Sequence, residues 1–361
     1  MRRPELRGLP GVLSRDQLQQ TVDAIAAAQQ PTGSLPWPDG HTDAWDHVEC
    51  AMVLTLGGRL DEAQRAYAWL RRTQAVDGSW ATSYDQLSVL DPMVDVNQCA
   101  YVAVGTWQWL QVTGDRALPE QMWPHIRRAL DLVCDMQAPT GEIYWASDDG
   151  VPRREALLTG SSSLYQSLRC GIALAELFEE PQPEWELAAG LLQHAVAHHP
   201  DLFMDKSRFS MDWYYPVLGG AVRGTMAARI FADHWDTFVV PGLGIRCVSD
   251  EPWVTGAETA ELALALLVSG ETDKARQLLK DVQHLRHDDG SYWTGYVFDD
   301  EVRWPREQTT YTAGVVVLAV DALSFGTPGS DVFRGTSLPA GFPVIGLECG
   351  CADEAAPQRV G

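Results

Sequence analysis

The sequence predicts an all-α protein, a closed (α/α)6 toroid in which six helical hairpins form an inner and an outer ring of helices. Three observations support this prediction. Apolar residues recur at helical spacing, amphipathic segments alternate with segments that are apolar all round, and a short glutamine–glycine–tryptophan motif recurs at their junctions. Repeats that bury a face only against their neighbours are typical of such architectures. Open solenoids such as tetratricopeptide arrays have shorter and more uniform repeats.

The outer helices are predicted from their amphipathic stripes. In the first, Leu18, Val22 and Ile25 share one helix face, and Ser14 and Gln17 have the spacing of a capping box. Further stripes occur at positions 63–70, 126–133 and 278–282, and outer helices are also expected at 183–199 and 225–238.

The inner helices are predicted from segments that open with polar residues and are then apolar on every side, a composition that usually means burial. The six segments are "TDAWDHVECAMVLTLGG", "DVNQCAYVAVGTWQWL", "TGSSSLYQSLRCGIALAELF", "MDWYYPVLGGAV", "TGAETAELALALLVSG" and "EQTTYTAGVVVLAVDAL". The strand-like alternation of polar and apolar residues is almost absent.

The motif "RRTQAVDGSW" combines a helix end, a glutamine, a turn and a tryptophan. Gln74 can bond backbone groups at the helix end, Gly78 can turn the chain, and Trp80 can cover the turn. We therefore predict a structural clasp between hairpins rather than a contact with substrate. Similar stretches end at Trp37, Trp145 and Trp293, the last with Arg286 in place of glutamine.

The longer stretch "YAWLRRTQAVDGSW" resembles the QW repeat of squalene-hopene cyclases, which share the α/α-toroid fold with the protein prenyltransferase β-subunits. The resemblance in repeat layout covers about residues 14–324. The layout is also similar to the (α/α)6 ring of the six-hairpin glycosidases. These resemblances imply a toroid and two substrate classes, sugars and isoprenoids.

The chain changes character after about residue 324, where turn residues replace the helical periodicity. We predict a catalytic toroid domain at 1–324 and an irregular extension at 325–361. The extension is expected to pack partly over the ring and to have a flexible end.

The composition limits the classes of partner. The 361-residue chain has a formal net charge of −22, which argues against a nucleic-acid partner because phosphate backbones need a basic surface. The sequence has neither a transmembrane segment nor a signal peptide, so we expect a cytoplasmic protein with reduced cysteines. No cofactor is predicted. No metal site is predicted either, since "HAVAHH" lacks an adjacent glutamate and Cys349 with Cys351 gives too few ligands.

The starts of the inner helices carry many polar and aromatic side chains, and in a ring they would meet as a funnel at one end. Tryptophan accompanies carboxylate in four of the six starts. Aromatic faces beside carboxylates suit a polyhydroxylated ligand, so the expected partner is a small-molecule sugar or glycoconjugate. The residues predicted to bind it are Trp45, Glu49, Asp95, Tyr165, Arg169, Asp212, Trp213, Tyr214, Trp253, Trp304, Gln308 and Tyr311.

The predicted function is carboxylate acid/base catalysis on a carbohydrate or glycoconjugate, either glycoside hydrolysis or related lyase or epimerase chemistry. Hydrolysis needs one carboxyl group that protonates the leaving oxygen and a second that activates water. The resemblance to glucoamylase-like six-hairpin enzymes implies Glu155 as the acid and Glu307 as the base. Asp46 and Glu258, at the starts of two inner helices, are further catalytic candidates.

Two other functions stay open. The stretch "DVNQCAYVA" resembles the DxDD acid segment of squalene-hopene cyclases, which implies isoprenoid chemistry. Asp95 matches the first aspartate, but Asn97 and Gln98 replace the other two, and an amide cannot donate the initiating proton. The second alternative is a non-catalytic toroid that binds a glycan or a protein partner.

Overall fold

The structure, a computed structural model, describes residues 4–342. Helices with one exposed face alternate along the chain with helices that are buried on most sides. The helices with an exposed face are α1 (Arg15–Ala28), α3 (Leu60–Thr73), α6 (Ala117–Asp135), α8 (Pro183–His198), α10 (Gly224–Phe238) and α12 (Thr272–Asp281). The buried helices are α2 (Ala44–Leu56), α4 (Val96–Ala100), α5 (Val102–Thr113), α7 (Leu158–Leu177), α9 (Ser210–Leu218), α11 (Gly256–Val268) and α13 (Thr310–Ser324).

The buried helices pack side by side in a definite order. Helix α2 packs against α5, α5 against α7, α7 against α9, α9 against α11, α11 against α13, and α13 against α2. Each also contacts an amphipathic neighbour, as α2 does α3 and α7 does α8. The protein is thus mainly helical, and these contacts are compatible with an α/α toroid.

The glutamine of the recurring motif connects neighbouring amphipathic helices. Nε2 of Gln74 donates to the carbonyl of Gly78 at 2.9 Å and to that of His125, on α6, at 2.8 Å. One amide therefore holds its own turn and the next helix together. Equivalent bonds run from Gln29 to Gly33 and Glu62, and from Gln137 to Gly141 and Ala188.

The turn of this motif requires glycine at position 78. Gly78 has φ +96°, and a Cβ there would lie 2.4 Å from the carbonyl oxygen of Arg128. Trp80 is fully buried, and its Nε1 donates to the carbonyl of Leu70 at 3.0 Å. The motif therefore works as a tight contact between two helices.

The fourth motif joins the last helices to the first. Nη2 of Arg286 donates to the carbonyl of Gln17 at 3.2 Å and to Oε1 of Gln20 at 2.7 Å, both on α1. Arginine has a longer side chain than glutamine. Here it contacts α1, just as each glutamine contacts the amphipathic helix that follows its own motif. The two bonds join residues that are 269 and 266 positions apart in the chain.

Short antiparallel strands occupy the loops before the buried helices, and the sequence analysis did not predict them. Strands of two to six residues are too short to give a clear alternation, and all four residues of one are exposed. The first sheet contains β1 (His41–Thr42), β2 (Ser83–Asp85) and β3 (Ser88–Asp91); the second contains β4 (Val94–Asp95), β5 (Tyr144–Asp148) and β6 (Val151–Ala156). The third has the order β11-β10-β9-β8-β7, with β7 (Val239–Val240), β8 (Gly244–Arg246), β9 (Trp253–Thr255), β10 (Gly295–Val297) and β11 (Val302–Arg303).

The chain after α13 packs into the helical body. A 3₁₀ turn at Pro328–Ser330 leads to a short helix, α14 (Asp331–Arg334), and the side chains of Val332 and Phe333 are buried. Helix α14 contacts α5, α11 and α13. The remainder, 343–361, lies outside the described residues, together with Cys349 and Cys351.

Helix α13 illustrates how the apolar helices are used. All its residues from Thr312 to Leu323 are buried. Among residues 4–342, no single helix is long and apolar enough to cross a membrane. Only α13 and the segment Pro328–Arg334, which are sharply bent relative to each other, together have the length and composition of a membrane span.

Candidate active site

Strand pairing brings the starts of the buried helices together. Strand β4 leads into α4 and pairs with β5, which lies in the connection to α7. Strand β9 leads into α11 and pairs with β10, which lies in the connection to α13. The polar helix starts therefore meet in space, although they are far apart in sequence.

Some acids at these starts cap helices. Oδ1 of Asp43 accepts from the backbone N–H of Asp46, and Oδ1 of Asp95 accepts from that of Asn97, both at 2.9 Å. A carboxylate near a helix start stabilises it by about 0.3–1 kcal/mol. Oδ2 of Asp43 also accepts from Nε1 of Trp37 at 2.7 Å, so hydrogen bonds hold both of its oxygens.

Asp46 remains partly exposed among other acids. Burial raises the pKa of Asp46 well above its usual value, and the nearby carboxyl groups of Asp43, Glu49 and Glu261 raise it further. This environment favours the protonated form of the carboxyl group, which is the form that a general acid needs.

Two further glutamates are almost wholly buried beside Asp46. Glu49 is 3% exposed; its Oε1 accepts from Tyr101 at 3.1 Å and from Nε1 of Trp45 at 3.3 Å. Burial raises the pKa of Glu49 to about 7. Glu261 is 2% exposed, and burial with the charge of Glu49 raises its pKa to about 8.

Three tyrosines converge on Glu261. Tyr215 and Tyr311 donate to Oε1 at 2.6 and 3.0 Å, and Tyr214 donates to Oε2. Because the tyrosines come from α9 and α13, these bonds join three buried helices around one carboxyl group. Glu261 is therefore fixed in position.

Glu258 lies one helical turn before Glu261 and is partly exposed. Its charge contributes to the raised pKa of Glu261, and it lies beside the thiol of Cys247, whose pKa burial and Glu258 raise. Asp46 and Glu258 are thus the two partly exposed carboxyl groups beside two enclosed ones, Glu49 and Glu261.

Aromatic rings cover the acids. The ring of Trp45 lies 5.2 Å from that of Tyr101 and meets the ring of Tyr215 edge-on at 6.2 Å. Trp37 lies 6.0 Å from Tyr311. Such apolar ring faces beside carboxyl groups can hold the C–H faces of a sugar.

The structure brings together six of the residues predicted from sequence as catalytic or substrate-binding. They are Trp45, Asp46, Glu49, Tyr214, Glu258 and Tyr311. Two predicted tryptophans, Trp253 and Trp304, pair edge-on at 5.1 Å in the connections to α11 and α13. Trp304 is 53% exposed, which gives an aromatic surface beside these connections.

Tyr165 and Arg169 were expected in the funnel, but the structure places them against the C-terminal extension. Nε of Arg169 donates to the carbonyl of Pro339 at 2.7 Å, and Tyr165 donates to that of Ala340 at 3.1 Å. Both residues lie about two to three turns inside α7, where the extension packs. Helix periodicity alone did not reveal this partner.

Three other predicted binding residues have protein partners. Nε1 of Trp213 donates to the carbonyl of Ile230 at 2.7 Å on α10, and Asp212 accepts from Thr159 at 2.7 Å. Gln308 accepts from Ser291 at 2.9 Å. Asp95 lies instead in the wall of a small cavity beside Trp45, where burial raises the pKa of Asp95 to about 6.

The carboxylates implied by the glucoamylase-like resemblance lie in more open places. Glu155 is exposed on β6. Glu307 is partly exposed before α13, with its Oε1 3.4 Å from the hydroxyl of Thr294. Neither has the enclosed environment of Glu49 or Glu261.

Tyr101 and Trp37 contact the acids and were not predicted as site residues. Tyr101 lies within an apolar run, at the break between α4 and α5, and Trp37 belongs to a stretch interpreted as a clasp. For Tyr101, the sequence signal that could have revealed a site residue was its polar hydroxyl within an apolar helical segment. Within residues 4–342, no group of three or more histidine, cysteine or acidic side chains is arranged to hold a metal ion.

The fold is similar to those of solved carbohydrate-active enzymes. A wild-type glycosidase has a TM-score of 0.66 and 15% identity, covering 86% of this chain and 96% of that chain. A D-mannose isomerase has a TM-score of 0.63 and 13% identity, covering 85% and 97%. A sugar epimerase from a ruminal bacterium has a TM-score of 0.64 and 12% identity, covering 86% and 98%. At these identities the similarity concerns the fold alone.

Similarity in sequence to a known enzyme shows the class of this protein. The chain is 54% identical over 346 residues to the MMP endo-(1,4)-3-O-methyl-α-D-mannosidase of Mycolicibacterium hassiacum, covering 96% of both proteins. The protein is therefore a carbohydrate-acting enzyme of the glycoside hydrolase type. It belongs to the family of that mannosidase. No protein-family model matches the chain.

Proposed function

We propose that this protein cleaves internal α-(1,4) linkages in chains of 3-O-methylated D-mannose. The relative's name supplies the substrate class, and the observation that carries the proposal is the set of acids around Asp46 and Glu258. Polar groups dominate this set, whereas an isoprenoid substrate needs mainly apolar walls.

We assign Asp46 as the general acid. Its raised pKa favours the protonated carboxyl group, and its partial exposure leaves that group accessible to a glycosidic oxygen. In the reaction this oxygen takes the proton of Asp46 as the bond to the sugar breaks. Asp43, which is held by Trp37, orients Asp46 through the cap of α2.

We assign Glu258 as the general base. It removes a proton from the water that attacks the anomeric carbon, so the hydroxyl joins one sugar and the proton of Asp46 joins the other. Glu261, which Tyr215 and Tyr311 hold in place, lies one turn further along α11. Glu155 and Glu307 take no part in the proposed step.

We further propose that the six hairpins close into an (α/α)6 ring with 1–324 as the catalytic domain. The packing of α13 on α2 and the bonds of Arg286 to α1 support closure. In such a ring the rim tryptophans Trp253 and Trp304 would border the entrance and offer ring faces to an incoming chain.

Two substrates with different leaving groups test the assignments of Asp46 and Glu258 separately. With 3-O-methylated α-(1,4)-mannooligosaccharides, both Asp46→Asn and Glu258→Gln should lose about 10²–10⁴-fold in kcat. With an aryl mannoside whose leaving group needs no protonation, Asp46→Asn should recover most activity and Glu258→Gln should not. Glu155→Gln, on the exposed strand β6, is the matched control and should behave like the wild type. Wild-type kcat in Asp46→Asn on the oligosaccharide would refute the acid assignment.

A further inference from the structure

A cavity of about 110 Å³ lies beside Trp45, between the starts of α4 and α7 and strand β5. Its walls are mainly apolar, and Ile143, Leu157 and Leu164 supply aliphatic side chains. Trp45 and Trp145 add two aromatic rings. The cavity is therefore suited to a small apolar group.

Three polar atoms of the wall lack a partner. Oδ1 of Asn97, Oγ of Ser161 and Nε1 of Trp145 are buried, and nothing within residues 4–342 hydrogen-bonds to them. Asn97 is 4% and Ser161 is 1% exposed. Buried polar atoms are nearly always paired in proteins, so these three leave hydrogen-bonding capacity that is available to a ligand in the cavity.

One wall of the cavity belongs to the helix start that carries the proposed general acid. Trp45 precedes Asp46 in sequence, forms one wall of the cavity and also hydrogen-bonds to Glu49. A sugar ring stacked on Trp45 would therefore lie at the cavity and at the same helix start as Asp46.

We propose that this cavity is the subsite for the 3-O-methyl group of a mannosyl unit, an inference that rests on the proposed function. The methyl group would lie against Ile143, Leu157 and Leu164. An ether oxygen accepts a hydrogen bond but cannot donate one, so it suits the N–H of Trp145 or the O–H of Ser161. A neighbouring sugar hydroxyl would donate to Oδ1 of Asn97.

Gly160 offers a way to fill the cavity without disturbing the fold. It lies in α7, in the cavity wall, and a Cβ there would be 3.7 Å from Cβ of Leu157 and 3.9 Å from Cβ of Asn97. These are ordinary contacts, and alanine favours a helix over glycine. Gly314, in α13, is the matched control, since its nearest neighbour would be Cγ2 of Val53 at 3.6 Å, away from the cavity.

The experiment compares α-(1,4)-linked mannotrioses with and without 3-O-methyl groups, measuring both the Kd by calorimetry and the cleavage rate. Burial of one methyl group corresponds to roughly a fourfold gain in affinity, so the wild type should bind the methylated trisaccharide at least about fourfold more tightly. Gly160→Ala should lose this preference, and Gly160→Val should reverse it. Gly314→Ala should keep it.

The outcomes separate the two proposals. A wild-type binding preference that Gly160→Ala removes, with no cleavage of either sugar, supports the subsite and refutes the proposed reaction. Cleavage of both sugars with equal Kd, or a preference that survives Gly160→Ala and Gly160→Val, refutes the subsite and leaves the reaction standing. Absence of both binding and cleavage refutes both.

Discussion

The phenol of Tyr215 donates a 2.6 Å hydrogen bond to Oε1 of Glu261, and both residues are almost wholly buried. The bond favours the ionised form of Glu261 and so opposes the burial that raises its pKa. The charge of Glu261 in turn raises the pKa of Asp46. The proton of the proposed general acid is therefore linked to a tyrosine on another helix.

Tyr215→Phe should move the pH profile of the enzyme. Loss of the donor raises the pKa of Glu261 further, so Glu261 carries less charge and the pKa of Asp46 falls. The alkaline limb of kcat/KM should shift to lower pH. The measurement is kcat/KM against pH on one oligosaccharide. Tyr84→Phe, buried but bonded to Ala81 and Thr73, is the control and should leave the limb in place; an unmoved limb in Tyr215→Phe would refute the linkage.

Stability should fall between about pH 6.5 and 8. The pKa values of Glu49 and Glu261 are raised to about 7 and 8, so the folded protein holds protons that the unfolded chain has released, and rising pH favours unfolding. His47 and His125, with pKa values lowered to about 4, act in the opposite direction only below about pH 6.5.

Thermal unfolding at several pH values measures this effect. The decline of Tm over pH 6.5–8 should be shallower in Glu261→Gln than in the wild type. Glu155→Gln, which alters an exposed carboxylate, should keep the wild-type slope. An equally steep decline in Glu261→Gln would show that another group causes it.

Gly78→Ala should destabilise the protein more than a comparable glycine substitution. Gly78 has positive φ and no room for a Cβ, which would meet the Arg128 carbonyl at 2.4 Å. Gly114 also has positive φ but has nothing within 4 Å. We expect a loss of about 3 kcal/mol at Gly78 and about 1 kcal/mol at Gly114, measured by urea unfolding. Equal losses would contradict the proposed tight clasp.

Arg169→Lys should loosen the C-terminal extension. The guanidinium of Arg169 donates to the carbonyls of Gly335, Leu338 and Pro339, and a lysine ammonium lacks the planar fork that reaches several acceptors at once. Trypsin should then cleave after Arg334 faster than in the wild type. Arg208→Lys is the control because Arg208 pairs with Asp250 at the surface. Unchanged cleavage in Arg169→Lys would mean that the extension is held mainly by its buried side chains.

The order of helices could be predicted from sequence because it depends on local periodicity. The stripe of Leu18, Val22 and Ile25 and the capping box of Ser14 and Gln17 are present as predicted. The strands were missed because each has only two to six residues, and some pair with a strand far away in the chain, as β1 does with β2 and β4 with β5. Their own residues carry little pattern.

The candidate site was partly predictable. Asp46 and Glu258 stand at helix starts, where polar residues contrast with the apolar run that follows. Tyr165 and Arg169 are also polar residues beside an apolar helical run, but they donate to backbone carbonyls of the C-terminal extension. A sequence pattern gives the polarity of a residue but not the group that it meets.

The sequence by itself determined which segments form helices, where the clasp glycines must lie, and which acids begin the buried helices. Helical spacing, left-handed turns and N-terminal caps are decided within a few residues of chain, so local sequence suffices for them. Only the tertiary structure decided that Glu49 and Glu261 are enclosed together beside Asp46. Burial and the charges of neighbouring helices set their pKa values, and both depend on contacts between residues more than two hundred positions apart.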